Sequence, residues 1–574
     1  MEGPMMLNPH HNPFSQVSEK SFKSGLPVSA PAAQITAKRR RDRSPAKDRA
    51  AHALRRFVSG FVAVAALLLA GQCAQAQSVF GNSNVGASVT QTVTVTASAA
   101  GTVSKVEVLT RGASGLDFTA GGGSASPSCS AATLSVNGTC QVSVAFTPTY
   151  PGLRQGAVVL LNASNAVLGT AYVSGIGVGG LDVLTPGNVN SVAGVYRAWT
   201  STRNGIPATQ ANIDQPAGIA FDGAGNLYIA DSLHNQVRMV CATAGSATIN
   251  GTTCSGAGII TLVAGTGVAG FSGDNGTSSA STLNLPGGVA IDGAGNLYIA
   301  DTGNNRVRLV ARSTGNITTV AGNGQPGNSN AGTVGDNGPA IDSNLNQPQG
   351  VTLDAAGNLF IADTYNQRIR RVDAATEVIT TAAGDGKASG LGDGKGTYSG
   401  DGAAAIAAGL SLPYTVAFDS MGNMLIPDSA NNRIRVVTAV GDTITTASII
   451  TTAVGVTQGG DTCPTNPMPT SEVLLNTPSG VAVDPAGNIY IADTQDSCVR
   501  KANAALNVTV TIAMNGQPAI SLANTEVTAP VYAPIGLVVD GLGNVFYSDY
   551  YFMLVSEIQS NKALLDGEET KLHA

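Results

Sequence analysis

One block of residues, repeated six times with decay, constrains this chain more than any other feature. It reads P-x-G-[VI]-A-x-D-x-x-G-N-[LI]-Y-I-A-D-[ST]-x-x-N-x-[RV]-[IV]-R and covers 216–240, 286–310, 348–372, 413–437, 478–502 and 534–553. Its Gly-Asn turns end at Asn226, Asn296, Asn358, Asn423, Asn488 and Asn544, so successive copies are 70, 62, 65, 65 and 56 residues apart. A period of this length marks one supersecondary unit stacked on copies of itself, because a single unit cannot bury its own apolar faces. Within each block a short apolar run (GIAFD), a Gly-Asn turn suited to positive φ, an alternating run (NLYIAD) and a third run (QVRMV) predict three antiparallel strands.

A fourth strand follows most blocks, at 259–265, 317–322, 377–383, 449–455 and 508–514. That makes five fourth strands for six blocks. The sixth is found upstream, in Val189-Asn190-Ser191-Val192-Ala193-Gly194. A ring explains this offset: the N-terminal strand completes the last sheet and no edge is left open. These blocks resemble the NHL repeat, and the resemblance with its six copies implies an all-β, six-bladed β-propeller over 189–558, closed by the N-terminal strand. A polar tail, 559–574, follows. Three departures stand out. Pro427 precedes Asp428 where alanine is usual and predicts a kinked or edge-like strand end. Gln495-Asp496-Ser497-Cys498 replaces the fifth polar turn, and Tyr550-Tyr551-Phe552 the sixth.

The chain ahead of the repeats divides in two. Residues 1–76 carry 11 Lys/Arg against 4 Asp/Glu, then an uncharged run, 57–70, ending in Ala74-Gln75-Ala76. This pattern predicts a secretory signal peptide cut after Ala76 or, uncleaved, a membrane anchor. Residues 77–180 alternate over several short strands, with Val93 and Val95 on one face and threonines on the other, as in a β-sandwich. Phe80-Gly81, Asp117-Phe118, the run from Cys140 to Pro148, and Ser174-Gly175-Ile176-Gly177-Val178 resemble bacterial Ig-like domains of the ASH/Hydin type. That resemblance implies a spacer or interaction module. A linker, 181–188, joins it to the repeats.

Beyond Cys73 the six cysteines fall into the local pairs Cys129/Cys140, Cys241/Cys254 and Cys463/Cys498, and behind a leader such a set predicts disulfides. None forms C-x-x-C. Past residue 76 the balance is 20 basic against 33 acidic residues, a net of −13. No nucleic-acid partner is expected for such a surface.

Six aspartates end the second strands: Asp231, Asp301, Asp363, Asp428, Asp493 and Asp549. With the loops around Asp274, Asp336 and Asp401 they could line an acidic funnel for a hard cation such as Ca²⁺ or for a polar ligand. The competing reading is structural. Each of the first five lies five to seven residues before a repeated arginine (Arg238, Arg306 and Arg308, Arg368 and Arg370, Arg433 and Arg435, Arg500), a spacing suited to a charge-assisted pair. The first-strand aspartates, Asp222 and its five counterparts, are expected to cap their own Gly-Asn turns. Enzymes on related propellers include amidating lyases, streptogramin lyases and metal-dependent lactonases, and the lyases depend on histidine. After the leader only His234 and His573 remain, and His234 is expected in an exposed loop.

These features predict an exported, secreted, periplasmic or surface-held protein that binds without catalysing. Its propeller loops would present themselves to a protein or glycan at the cell envelope, touching membrane only through an uncleaved N-terminal segment. Tyr365 and Tyr550 are candidate anchors, with packing between blades as the alternative. The competing functions are a Ca-type metal-dependent hydrolase or lyase using the acidic funnel, and a purely structural surface or adhesive protein.

Overall fold

A computed structural model describes residues 78–559 except 85, 112, 122–128, 149–151, 179–188, 197–201, 246–248, 250–253, 328–333, 388–395, 441–442, 457–459, 461–462, 465–466, 504–506, 515–517, 520–526, 529–530 and 541–542. The expected leader or anchor, the linker at 181–188 and the tail from 560 onward lie outside the described residues.

Each repeat folds as a meander. In the first, Pro216–Phe221, Leu227–Asp231, Gln236–Val240 and Ile259–Ala264 pair antiparallel in chain order. The turn between the first two strands is held by Asp222, whose Oδ1 accepts the backbone N–H of Ala224 and of Asn226, both at 2.9 Å. Asn226 donates its amide to Asp222 Oδ2 at 2.8 Å and accepts from Ala242 N beyond the third strand. One Asp-Asn pair therefore closes the turn and ties it across the sheet. The same Asp-Asn amide bond recurs at 292/296, 354/358, 419/423, 484/488 and 540/544.

Several sheets carry a fifth, two-residue strand that the sequence pattern does not reveal: Ile206–Pro207, Gly338–Pro339, Ala403–Ala404 and Met468–Pro469. Two residues hold too little alternation to be read as a strand. Val189–Ala193 pairs antiparallel with Leu554–Ile558, Val189 opposite Ile558, in the sheet of the sixth repeat.

Pro427 does not kink its own strand. Met424–Asp428 pairs regularly with Arg433–Val437, Pro427 opposite Ile434. The effect falls on the neighbour instead. Pro427 O accepts from Tyr414 N at 3.3 Å but has no N–H to return, and the first strand of this repeat shrinks to Ala417–Phe418.

The first strands approach one another closely. A Cβ on Gly218 would lie 2.7 Å from Gly288 Cα, and one on Gly350 2.7 Å from Thr415 Cα, so only glycine permits this spacing at 218 and 350. Thr415 Oγ1 bonds Ser479 O at 2.9 Å, Ser479 Oγ bonds Pro534 O at 3.2 Å, and Ser548 Oγ of the last repeat donates to Ala217 O of the first.

Over one apolar core, residues 78–178 form a two-stranded ribbon, Gly101–Thr102 with Thr133–Leu134, and two larger sheets. One is ordered Ser78–Asn84, Val167–Val178, Gly152–Leu161, Lys105–Thr110, Ala113–Ser114; the other is Val89–Thr96, Thr139–Phe146, Phe118–Ala120. Val93 and Val95 are buried as their alternation predicts, and Phe118 stacks on Phe146 with centroids 4.8 Å apart. Disulfides join Cys129–Cys140, Cys241–Cys254 and Cys463–Cys498.

The outer face of the larger sheet meets the Gly-Asn turns of the repeats. Leu109, Ala157, Val159, Leu161 and Tyr172 pack with Ala355 and Ala356. Tyr172 Oη donates to Asp354 Oδ2 at 3.3 Å, and Gly293 N to Arg111 O at 3.1 Å. These turns lie at the opposite end of the second strand from the six aspartates, so the two-sheet unit sits away from the aspartate-bearing loops. The double variant Tyr172→Ala/Ala356→Glu should detach it. Small-angle scattering would then report a larger radius of gyration with the unfolding midpoint of the repeat sheets preserved; an unchanged radius would contradict the contact.

Candidate functional site

The second-strand aspartates are wholly buried, and each carboxylate accepts from the backbone N–H seventeen residues upstream. The donors are Asp214, Asn284, Asn346, Ser411, Asn476 and Tyr532. Five carboxylates also hold a buried guanidinium on the third strand. Arg238, Arg308, Arg370 and Arg435 donate from Nη1 at 3.3, 3.2, 3.1 and 3.2 Å, and Arg500 donates from Nε at 2.7 Å. In every case the partner is the arginine at plus seven, which faces its aspartate across the hairpin.

The Gly-Asp loops supply the other half of this clamp. Asp274, Asp336 and Asp401 bond Nη2 of Arg308, Arg370 and Arg435 at 2.7, 2.8 and 2.6 Å. Each also accepts a threonine hydroxyl from the fourth strand, Thr319, Thr381 or Thr452. In the first repeat Asn204 takes this place, accepting from Arg238 Nε at 3.2 Å. Five of the six second-strand carboxylates, and the three Gly-Asp loop aspartates, thus sit on arginine. A divalent cation would have to displace a buried guanidinium to reach them, and among the described residues no group of three or more His, Cys, Asp or Glu is placed to hold a metal.

Burial pushes the pKa of Asp301, Asp363, Asp428 and Asp549 upward against the pull of their hydrogen bonds. Asp493 rises to about 7, through burial first and the nearby Asp496 charge, with Arg500 opposing. Asp549 has no arginine at plus seven, where Ser556 stands. Its oxygens accept backbone N–H groups instead, from Tyr532 at 2.6 Å, Phe552 at 2.8 Å and Tyr551 at 3.1 Å.

The loop after each aspartate does work that sequence reasoning missed. The hydroxyl at plus one reaches the proline carbonyl that opens the next repeat: Ser232 to Pro286 O, Thr302 to Pro348 O, Thr364 to Pro413 O, Ser429 to Pro478 O and Thr494 to Pro534 O, at 2.6 to 2.8 Å. At plus three, Asn304, Asn366 and Asn431 donate back to their aspartates. At plus four a left-handed residue (Asn235, Asn305, Gln367 or Asn432) accepts a backbone N–H from the next repeat. The [ST] and Asn positions of the repeated block were the available signal.

What remains is plus two: Leu233, Gly303, Tyr365, Ala430, Gln495 and Tyr551. Leu233, Gly303, Gln495 and Tyr551 are exposed, Tyr365 and Ala430 half-buried. Tyr550, at plus one, is half-buried and lies near Tyr365 and Tyr414; burial, then the charges of Tyr550 and Tyr365, raise the Tyr414 hydroxyl.

His234 is not the solvent-exposed loop residue expected. It occupies the plus-three position, half-buried, with Nδ1 2.9 Å from Asp231 Oδ1. Burial alone would lower its pKa, and Arg238 opposes its charge. The hydrogen bond to Asp231 and the charges of Asp231 and Asp214 prevail and raise it above 6.5. A raised folded-state value means that His234 contributes stability fully below about pH 6.5 and loses it as pH climbs through the folded value. Against a His234→Asn variant, the wild type should therefore lose stability as pH rises from 6 to 8 in denaturant titrations; parallel curves would contradict this. Removing one member of a buried pair leaves the other uncompensated, so Arg370→Ala should cost about 3–5 kcal/mol. The double variant Asp363→Leu/Arg370→Met should lose less than the two single losses summed, whereas strict additivity in urea unfolding would contradict the pairing.

Three disulfides belong to an oxidising compartment rather than a reducing one. Among the described residues no helix is long and apolar enough to cross a membrane. Residues 201–311 and 339–438 match the family described as the Teneurin NHL domain, and 475–502 match the NHL repeat. NHL repeat-containing protein 2 of Bos taurus is 29% identical over 187 residues, 31% of this chain and 23% of that protein. Teneurin-1 of Caenorhabditis elegans is 25% identical over 251 residues, 40% of this chain and 9% of that protein. The chain therefore spans less than a quarter of either relative's length. An auxiliary nutrient binding protein from Bacteroides ovatus superposes with a TM-score of 0.44 at 11% identity, covering 84% of this chain and 98% of that one. The matched segments make the repeats of this chain similar to NHL repeats.

Proposed function

We propose that this chain is an exported, non-catalytic binding scaffold that presents one face of a closed, six-bladed NHL propeller to a protein or glycan at the cell envelope. The observation that carries this reading is the plus-two position. Around it, the loop residues of the first five repeats are engaged in bonds within a repeat or to the next. The plus-two side chains differ from repeat to repeat while their backbone N–H groups bond the loop that enters the same repeat, which is how a rigid frame offers variable contacts. Closure by Val189–Ala193 is supported by its pairing with Leu554–Ile558 and by the contact of Ser548 with Ala217. An Ig-like reading of 77–180 is supported by two sheets over one core, and its place on the Gly-Asn turns leaves the loop face open. The signal-peptide pattern at 57–76 supports export.

The test is affinity capture. Immobilised protein is exposed to cell-envelope extract in Ca²⁺ or in EDTA, beside a variant carrying Leu233→Ser, Tyr365→Ala and Gln495→Ala. The wild type should retain a discrete species, equally in both buffers because the carboxylates already hold guanidinium groups. The variant should bind it about tenfold or more weakly, as loss of a few anchoring side chains does at interfaces. No retention by the wild type, or equal retention by the variant, overturns the reading.

A further inference from the structure

The sixth repeat abandons the rules that the other five keep. At plus one, where a hydroxyl holds the next repeat, stands Tyr550; at plus three, where repeats two to four have asparagine, stands Phe552; at plus seven, Ser556 replaces arginine. Each lost job is reassigned. Ser548, where repeats one, two, three and five have alanine, bonds the first repeat at Ala217 O, and also accepts from Gly536 N at 2.8 Å. Backbone N–H groups of Tyr551 and Phe552 serve the Asp549 carboxylate. The frame of this repeat is thus rebuilt around three consecutive aromatic residues, Tyr550, Tyr551 and Phe552. Departures of this kind concentrate at functional sites.

These rings assemble with others. Tyr551 stacks on Tyr532, centroids 4.4 Å apart at 27°; Phe552 lies 5.5 Å from Tyr532 and 5.1 Å from Tyr196. Phe552 is buried beneath, while Tyr196 and Tyr551 keep 55% and 45% of their surface in solvent. The result is a platform with a buried base and two exposed rings. The six plus-two positions, Tyr551 of the platform among them, carry no charge near neutral pH: Leu, Gly, Tyr, Ala, Gln and Tyr.

We propose that the Tyr196–Tyr532–Tyr551–Phe552 platform is a stacking site for an uncharged pyranose ring. A sugar offers one face of C–H groups, slightly positive, which suits the negative face of an aromatic ring. Its hydroxyls call for neutral donors and acceptors, which the tyrosine hydroxyls of the platform provide. The absence of charge at plus two disfavours anionic polymers and gives no electrostatic steering toward a charged protein. This assignment rests on the binding reading above and narrows its partner to a neutral saccharide.

Native affinity electrophoresis of the full chain tests it, in gels holding β-glucan, xylan, galactomannan or dextran, beside gels of polygalacturonate or alginate. At least one neutral polysaccharide should retard the wild type. Tyr551→Ala and Tyr196→Ala should each weaken that retardation about tenfold or more with unchanged melting temperature, while Tyr551→Phe and, on an exposed Gly-Asn turn, Met421→Ala should preserve it. Retardation only by anionic gels, none by any neutral gel, or retardation that survives both alanine variants overturns the proposal. If the wild type instead captures an envelope protein and shows no polysaccharide retardation, the saccharide assignment fails while the broader binding reading stands. Failure of both measurements overturns both.

Discussion

A buried guanidinium on a buried carboxylate, seven residues apart across one hairpin, is the interaction on which the rest of this structure depends. A charged pair taken out of water is stable only if its remaining donors and acceptors are also met. The repeats meet them by recruiting neighbours. The carboxylate draws in a backbone N–H from the loop that enters the repeat. In repeats two to four the guanidinium draws in the Gly-Asp loop, whose aspartate in turn takes a threonine from the fourth strand. Three strands and the connection that enters the repeat are thus oriented by one ion pair, and most loop geometry follows from satisfying it.

The same economy separates constant from variable positions. Hydroxyl, asparagine and left-handed residues after each aspartate are occupied in holding the aspartate or the next repeat. Any change there leaves a buried carbonyl or carboxylate short of a donor, which costs more than the bond itself was worth. The residue between them bonds the entering loop through its backbone N–H and leaves its side chain to vary from repeat to repeat. The sixth repeat departs furthest, with Ser548 taking over the bond to the first repeat beside a loop of aromatic residues. The carboxylates that an acidic funnel would need are the ones the frame cannot release.

Much of this was legible before any coordinates. Strand boundaries followed from alternation and from the Gly-Asn turns; the turn-capping aspartates followed from their spacing, which left the arginine partner open between plus five and plus seven until the structure showed plus seven. Pro427 was legible as a disturbance but not as one acting on the neighbouring strand, because the direction of its missing N–H depends on register. His234 read as a loose loop residue because its role appears only when it is aligned with Asn304, Asn366 and Asn431, each at plus three and each bonded to its repeat's aspartate. The inter-repeat hydroxyl bonds span 40 to 54 residues, a distance at which no local periodicity speaks.

The sequence by itself determined the repeat, the meander of each sheet, the turns and the pairing of cysteines, since all of these arise between residues close along the chain. Only the tertiary structure decided which aspartates were consumed by arginine and which hydroxyls locked one repeat to the next. It also decided that the two-sheet unit covers the Gly-Asn turns and that Tyr196 joins Tyr532, Tyr551 and Phe552 in one platform. Those outcomes depend on groups hundreds of residues apart competing for the same buried donors and the same apolar surface, and that competition is settled only when the sheets are packed.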